Sequence, residues 1–274
     1  MTCPDYPLCR GRIVPAFDGG VIWEWTHRFT ALVLAVLVII ILVNAFYGRR
    51  RSPDRRADAG VRIAAGVVWV LFMFQAFLGA ATVKLSNTPI SVVWHWGTAM
   101  ALIASLAALA IFAGAGHSRR TAGNGWTVAS VLAGAAAVAF ITMCIGAYVS
   151  SSGAGLACAT IPGCAGNVVV FGSDQFVQML HRFAAASSLI AAVAAFAFAW
   201  IRRASAPVRA WTTVALALVF VQIVLGLLNV AFRLPIDLRE AHAANAALIF
   251  LAFACATTLA VLDAVPAREA AQAL

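Results

Sequence analysis

Long apolar stretches alternate with short polar ones along this chain, and that alternation predicts its secondary structure. Seven such stretches lie near 21–47, 61–83, 91–115, 127–149, 175–200, 208–232 and 241–264. Each reaches the roughly 20 helical residues that cross a hydrocarbon core of about 30 Å. The expected fold is all-α, a polytopic membrane helix bundle of seven spans. The first span is too long and too poorly flanked to be a cleaved signal peptide.

Composition agrees: 63% hydrophobic and 11% charged residues, with a mean hydropathy of +0.94, fall outside the range of soluble globular chains. The net charge of +9 would suit nucleic acid, but the placement of the basic residues argues against that partner. Arg49, Arg50, Arg51, Arg55, Arg56 and Arg62 follow the first span, Arg119 and Arg120 the third, and Arg202, Arg203 and Arg209 the fifth. By the positive-inside rule those loops face the cytoplasm. The amino terminus, the 150–174 loop and the turns near 84–90 and 233–240 are then expected outside.

Internal comparison reveals a duplication. Cys3-x5-Cys9 is followed by His27-Arg28, and Cys158-x5-Cys164 by His181-Arg182, with 18 and 17 positions from the second cysteine to the histidine. "QAFLGAATV" from Gln75 matches "QIVLGLLNV" from Gln222, and each glutamine precedes a histidine by 20 residues, His95 or His242. Two pseudo-symmetric halves are expected, 1–120 and 121–274, joined by the short polar stretch "GHSRRTAGNG".

Four of the five histidines thus occupy matched positions near the outer ends of spans 1, 3, 5 and 7, while His117 falls in a cytoplasmic loop. Polar side chains inside a bilayer normally face the bundle interior for a functional reason, and imidazole is a common axial ligand of heme iron. The pattern points to one heme between His27 and His95 and a second between His181 and His242. The alternative is helix-end histidines satisfied by water or backbone; repetition at four related positions favours ligation.

The cysteine spacing is wider than that of a usual zinc pair. A disulfide within each loop, Cys3 with Cys9 and Cys158 with Cys164, fits better, either as a stabilising crosslink or with a redox role. Cys144 and Cys255 read as packing residues. Gln75 and Gln222 are expected to hydrogen-bond between helices. Trp23, Trp25, Trp94 and Trp96 read as an interfacial belt, or in part as lining of the first heme cavity, and the Ala-rich stretches near 130–139 and 184–198 as places of close helix approach. Arg28 and Arg182 suit planar carboxylates such as heme propionates, or else snorkel to water. The halves differ at one telling position: Glu24 stands three residues before His27, where Gln178 precedes His181. A carboxylate beside one site only suggests that proton chemistry happens there; otherwise Glu24 caps the start of its helix.

"CPDYPLCRGRIVPAF", "EWTHR", "GAYVSSSGAGLAC" and the His95 and His242 segments together resemble the heme A synthase family, over residues 3 to about 250. That family converts heme O to heme A by oxidising a ring methyl to a formyl group. The resemblance implies an eight-helix bundle in a bacterial plasma membrane, with both cysteine loops extracytoplasmic. It implies a heme b cofactor on His181 and His242, heme O as substrate near His27, His95 and Glu24, and heme O synthase and terminal-oxidase assembly proteins as partners beside membrane lipid. Met1-Thr2-Cys3 resembles the tail of the family's first helix, so a segment upstream of Cys3 is expected. Two other classes fit parts of the pattern, a diheme b-type electron-transfer protein and a non-catalytic heme-handling assembly factor. The clustering of all four histidines near one face suits neighbouring sites better than conduction across the bilayer.

Overall fold

A computed structural model of the chain describes residues 5, 8–16, 21–47, 55–114, 125–164 and 169–264, with backbone alone for 55–60. Among the described residues there are seven α-helices: α1 Val21–Tyr47, α2 Arg55–Lys84, α3 Pro89–Gly114, α4 Gly125–Ser152, α5 Asp174–Ile201, α6 Ala206–Ala231 and α7 Ile236–Ala264. All seven are long and apolar enough to cross a membrane, and the protein is an integral membrane protein. A short 3-10 turn, Ala154–Leu156, follows α4.

Helix ends follow local chemistry that hydropathy does not register. The last helix begins at Ile236, five residues before the apolar stretch, because the polar turn "IDLRE" is helical too. Asp237 lies in that first turn, where a carboxylate meets the positive end of the helix dipole. Ser173 caps α5 by accepting the Phe176 N–H at 3.2 Å.

The chain divides into two compact units, Met1–Thr98 and Ala99–Leu274, with the division inside α3. In the second unit α7 packs on α6 and α4, and α4 on α5. Their shared core is built from small residues at helical spacing: Ala135 and Ala139 on α4, Ala192, Ala195 and Ala199 on α5, and Ala252, Ala256 and Ala260 on α7, around a fully buried Phe253. Lipid tails are as apolar as leucine, so side-chain size, not hydrophobicity, decides how near two spans come. In the first unit α1 packs against α2.

The α2–α3 and α6–α7 turns are built alike. Ser86 and Asn87 take left-handed φ values of 54° and 56°, and Arg233 and Leu234 take 58° and 61°. Asn87 N–H donates to Thr82 O at 2.9 Å and Leu234 N–H to Asn229 O at 2.8 Å, closing the same Schellman cap. Thr82 Oγ1 donates to Leu78 O and Ser91 O, at 2.8 and 3.2 Å, and Asn229 Nδ2 to Leu225 O and Leu238 O, at 3.0 and 3.1 Å. Each polar side chain thus ties the end of one helix to the start of the next. These ties fix the height at which α3 and α7 present their histidines.

Candidate functional site

Each of the four matched histidines lies within the first two turns or so of its helix, on α1, α3, α5 and α7. The structure brings them together in two pairs. In the first unit the His27 and His95 ring centres are 6.2 Å apart with planes at 75°; in the second, His181 and His242 are 6.4 Å apart at 72°. His27 is exposed, the other three half-buried.

A metal between two trans imidazoles sets a definite separation. Bonds of about 2.0 Å and about 1.1 Å from each ligating nitrogen to its ring centre place the centres about 6.2 Å apart. Both pairs meet that requirement. The distance alone also suits an edge-to-face aromatic contact, so the polar atoms matter. Nδ1 of His242 is buried without a hydrogen-bond partner, so this ring is not held in place by a hydrogen bond at that nitrogen. Among the described residues no cluster of three or more His, Cys, Asp or Glu side chains is placed to hold a metal. Two ligands from each pair fit an iron whose remaining ligands come from a macrocycle.

Three histidines turn the Cε1 edge of the ring toward a glycine of a neighbouring helix. A Cβ built on Gly146 would stand 2.9 Å from Cε1 of His181; on Gly79, 3.1 Å from Cε1 of His95; on Gly226, 3.3 Å from Cε1 of His242. Gly79 and Gly226 are repeat-related, each four residues after its glutamine. Sequence reasoning passed over them, although both sit in the matched segments from Gln75 and Gln222. Gly146→Ala is expected to displace His181 and destabilise the protein by roughly 1–3 kcal/mol, the usual scale of overpacking. Gly134 has nothing within 4 Å of its would-be Cβ, so Gly134→Ala is expected to leave the thermal midpoint in detergent unchanged.

The arginines that follow the first histidine of each pair organise the cysteine loops. Arg182 Nη1 donates to the carbonyls of Thr160, Pro162 and Gly163 at 2.6, 3.0 and 2.8 Å, and Nη2 to that of Cys158 at 2.6 Å. Those carbonyls belong to the ring closed by the Cys158–Cys164 disulfide, whose Cα atoms are 4.7 Å apart. Arg28 does the same for the first loop, donating from Nη1 to Asp5 O at 2.6 Å and Leu8 O at 2.5 Å. Cys9 is disulfide-bonded, and Cys3 lies outside the described residues. Asp5 in turn accepts the Arg10 and Gly11 N–H groups at 2.6 and 2.8 Å. The Gly11 N–H foremost, with the Arg10 N–H and the Arg28 charge, holds its carboxyl below the ordinary value against desolvation. The guanidinium donors that the sequence pattern assigned to heme propionates are here engaged by these loop carbonyls.

Glu24 and Gln178 also part ways. Glu24 Oε1 pairs with Arg28 Nη2 at 2.9 Å. Gln178 is buried, accepts the Cys158 N–H, and donates to Gly155 O at 2.7 Å. The amide holds the second loop to α5; the carboxylate stands beside the first pair, one turn before His27.

Gln75 and Gln222 both bond between helices, but to different atoms. Gln75 Nε2 lies 3.1 Å from Nδ1 of the His95 ring. Gln222 Nε2 donates to the backbone carbonyl of His242 at 3.0 Å, and its Oε1 accepts from Asn245 Nδ2 at 2.7 Å. Trp25, placed by its sequence position in an aromatic belt, donates Nε1–H to Ile13 O at 2.8 Å and stacks on Phe29.

The chain is similar to known proteins over most of its length. The model of the COX15-CtaA family, described as cytochrome oxidase assembly protein, matches residues 1–254. The heme A synthase of Bacillus licheniformis is 29% identical over 87% of this chain and 79% of its own length. That of Shewanella oneidensis is 26% identical over 92% of this chain and 85% of its own. The match to the heme A synthase of Bacillus pumilus, 29% identical, spans 66% of this chain and 59% of that protein.

Proposed function

Because the chain belongs to the COX15-CtaA family of cytochrome oxidase assembly proteins, we propose that it acts as a heme A synthase, oxidising a ring methyl of heme O to the formyl group of heme A. The observation that carries this reading is the recurrence of a histidine pair at iron-spanning separation in each unit, with a carboxylate beside only one. His27 and His95 hold the heme O substrate; His181 and His242 hold a resident heme b. The two homologous halves, 1–120 and 121–274, contribute one pair each.

Making a formyl from a methyl group with an oxygen from water releases four electrons and four protons. Heme b, when bound at His181 and His242, would take these electrons one at a time and hand all four on to an external electron acceptor. Glu24, ion-paired with Arg28, takes a proton from the attacking water or faces positive charge developing on the substrate. Arg28 and Arg182 pin the cysteine loops above their histidines, which limits the approach of bulk water. The loops lie on the extracytoplasmic side of a bacterial plasma membrane, and the protein works there with a heme O synthase and with terminal-oxidase assembly proteins.

Pigment extraction and chromatography test the reading. Heme O or heme A recovered beside heme b from purified protein is the expected result. Heme b alone, together with no conversion of added heme O, overturns it in favour of a b-type electron carrier.

A further inference from the structure

With Arg182 committed to the carbonyls of its loop, the carboxylates of a macrocycle between His181 and His242 call for a different cation. Arg239 stands three residues before His242, in the first turn of α7. Residues three apart on a helix share a face, and helical side chains lean toward the start of their helix. Arg239 therefore covers the surface just beyond the imidazole, on the side where α7 begins.

Its guanidinium is exposed, and among the described residues it has neither a carboxylate nor a carbonyl partner. The two acids beside it in sequence, Asp237 and Glu240, are two positions and one position away and turn to other faces. The positions that do neighbour it along the helix are Pro235, Ile236, His242 and Ala243, none of them acidic. A cation in the first turn is opposed by the helix dipole, so nothing in α7 itself favours arginine there.

The repeat sharpens the point. With Gln75 matched to Gln222 and His95 to His242, Arg239 corresponds to Val92, and the turn Asp237-Leu238-Arg239-Glu240 to Ile90-Ser91-Val92-Val93. The helix that carries the second histidine of each pair thus starts charged in one unit and apolar in the other.

We propose that Arg239 is a binding residue for the second macrocycle: its planar guanidinium pairs with a propionate carboxylate while His181 and His242 hold the iron. The inference rests on the assignment of those two histidines as heme ligands. The second pair then grips its heme at the metal and at the porphyrin edge, whereas the first has valine at the matched place. That difference suits a cofactor retained at one site and a substrate exchanged at the other.

The test uses the full chain in detergent, in a His95→Ala background, loaded with iron protoporphyrin IX or with its dimethyl ester, which keeps the iron and loses both carboxylates. Transfer to excess apomyoglobin, followed in the Soret band, reads the rate of release from the second pair. Arg239→Gln is expected to release protoporphyrin about 5-fold faster than the parent, the upper range for an exposed ion pair, and to release the ester at the parent's rate. Arg233→Gln, at the exposed arginine of the α6–α7 turn, is expected to leave both rates unchanged. Equal protoporphyrin release from Arg239→Gln and its parent overturns the proposal. So does an acceleration that survives esterification, which marks a loosened fold, or one matched in Arg233→Gln, which marks surface charge in general. A parent that gives no bis-imidazole low-spin spectrum overturns the ligand assignment itself, and the role of Arg239 with it.

Discussion

Purified His242→Ala protein is expected to lose one of two low-spin hemes, about half its heme content, and to keep the other. The reason lies in how the pairs are built. His181 and His242 face each other at 6.4 Å in the second unit, and His27 and His95 at 6.2 Å in the first. If each pair ligates one iron, as proposed, removing one member breaks one low-spin center and leaves the other. His95→Ala is expected to do the reverse, removing the first-pair signal and sparing the second. Within one pair the effects do not add, so His181→Ala combined with His242→Ala costs no more heme than either alone. Pyridine hemochrome quantitation and absorption spectra of the four single variants decide the matter. Unchanged heme content in all four, or loss of both hemes from every one, is incompatible with two independent pairs.

The second large effect is expected at Glu24. Glu24→Gln keeps the shape of the side chain and an oxygen for Arg28, so both hemes and the first cysteine loop remain, while formation of heme A falls by about 10²–10⁴-fold, the usual worth of a positioned proton acceptor. Its counterpart behaves differently. Gln178→Glu loses the N–H that reaches Gly155 O at 2.7 Å and puts a carboxylate oxygen against that carbonyl; the expected cost is looser attachment of the second loop, read as faster reduction of the Cys158–Cys164 disulfide, with no gain of chemistry at the second pair. Heme O conversion measured by chromatography separates the two residues. Full turnover in Glu24→Gln would remove the carboxylate from the mechanism.

Much of this architecture is legible in the linear pattern. The seven spans follow from hydropathy because a membrane helix must satisfy its backbone within itself, and run length reports it directly. The histidine pairs follow from repetition, since a duplicated segment that keeps its spacing also keeps its geometry. Chemistry that depends on the path of a loop is less accessible. Nothing in the sequence around Arg182 announces that Cys158, Thr160, Pro162 and Gly163 turn four carbonyls inward; the motif "HR" by itself points to an anionic partner and carries no information about the path of the preceding loop. The start of α7 at Ile236 was hidden by its polar first turn. The glycines under His95 and His242 were visible in the matched segments, but a missing Cβ gains meaning only when the ring it accommodates is known.

The guanidinium of Arg182 has a mechanical consequence. It sits next in sequence to His181, on the same turn of α5, and grips the disulfide-closed ring at several points. The ring and the imidazole thus ride on one lever arm: if α5 slides by a single residue, about 1.5 Å, both travel together, and neither can be reached by shifting the other out of the way.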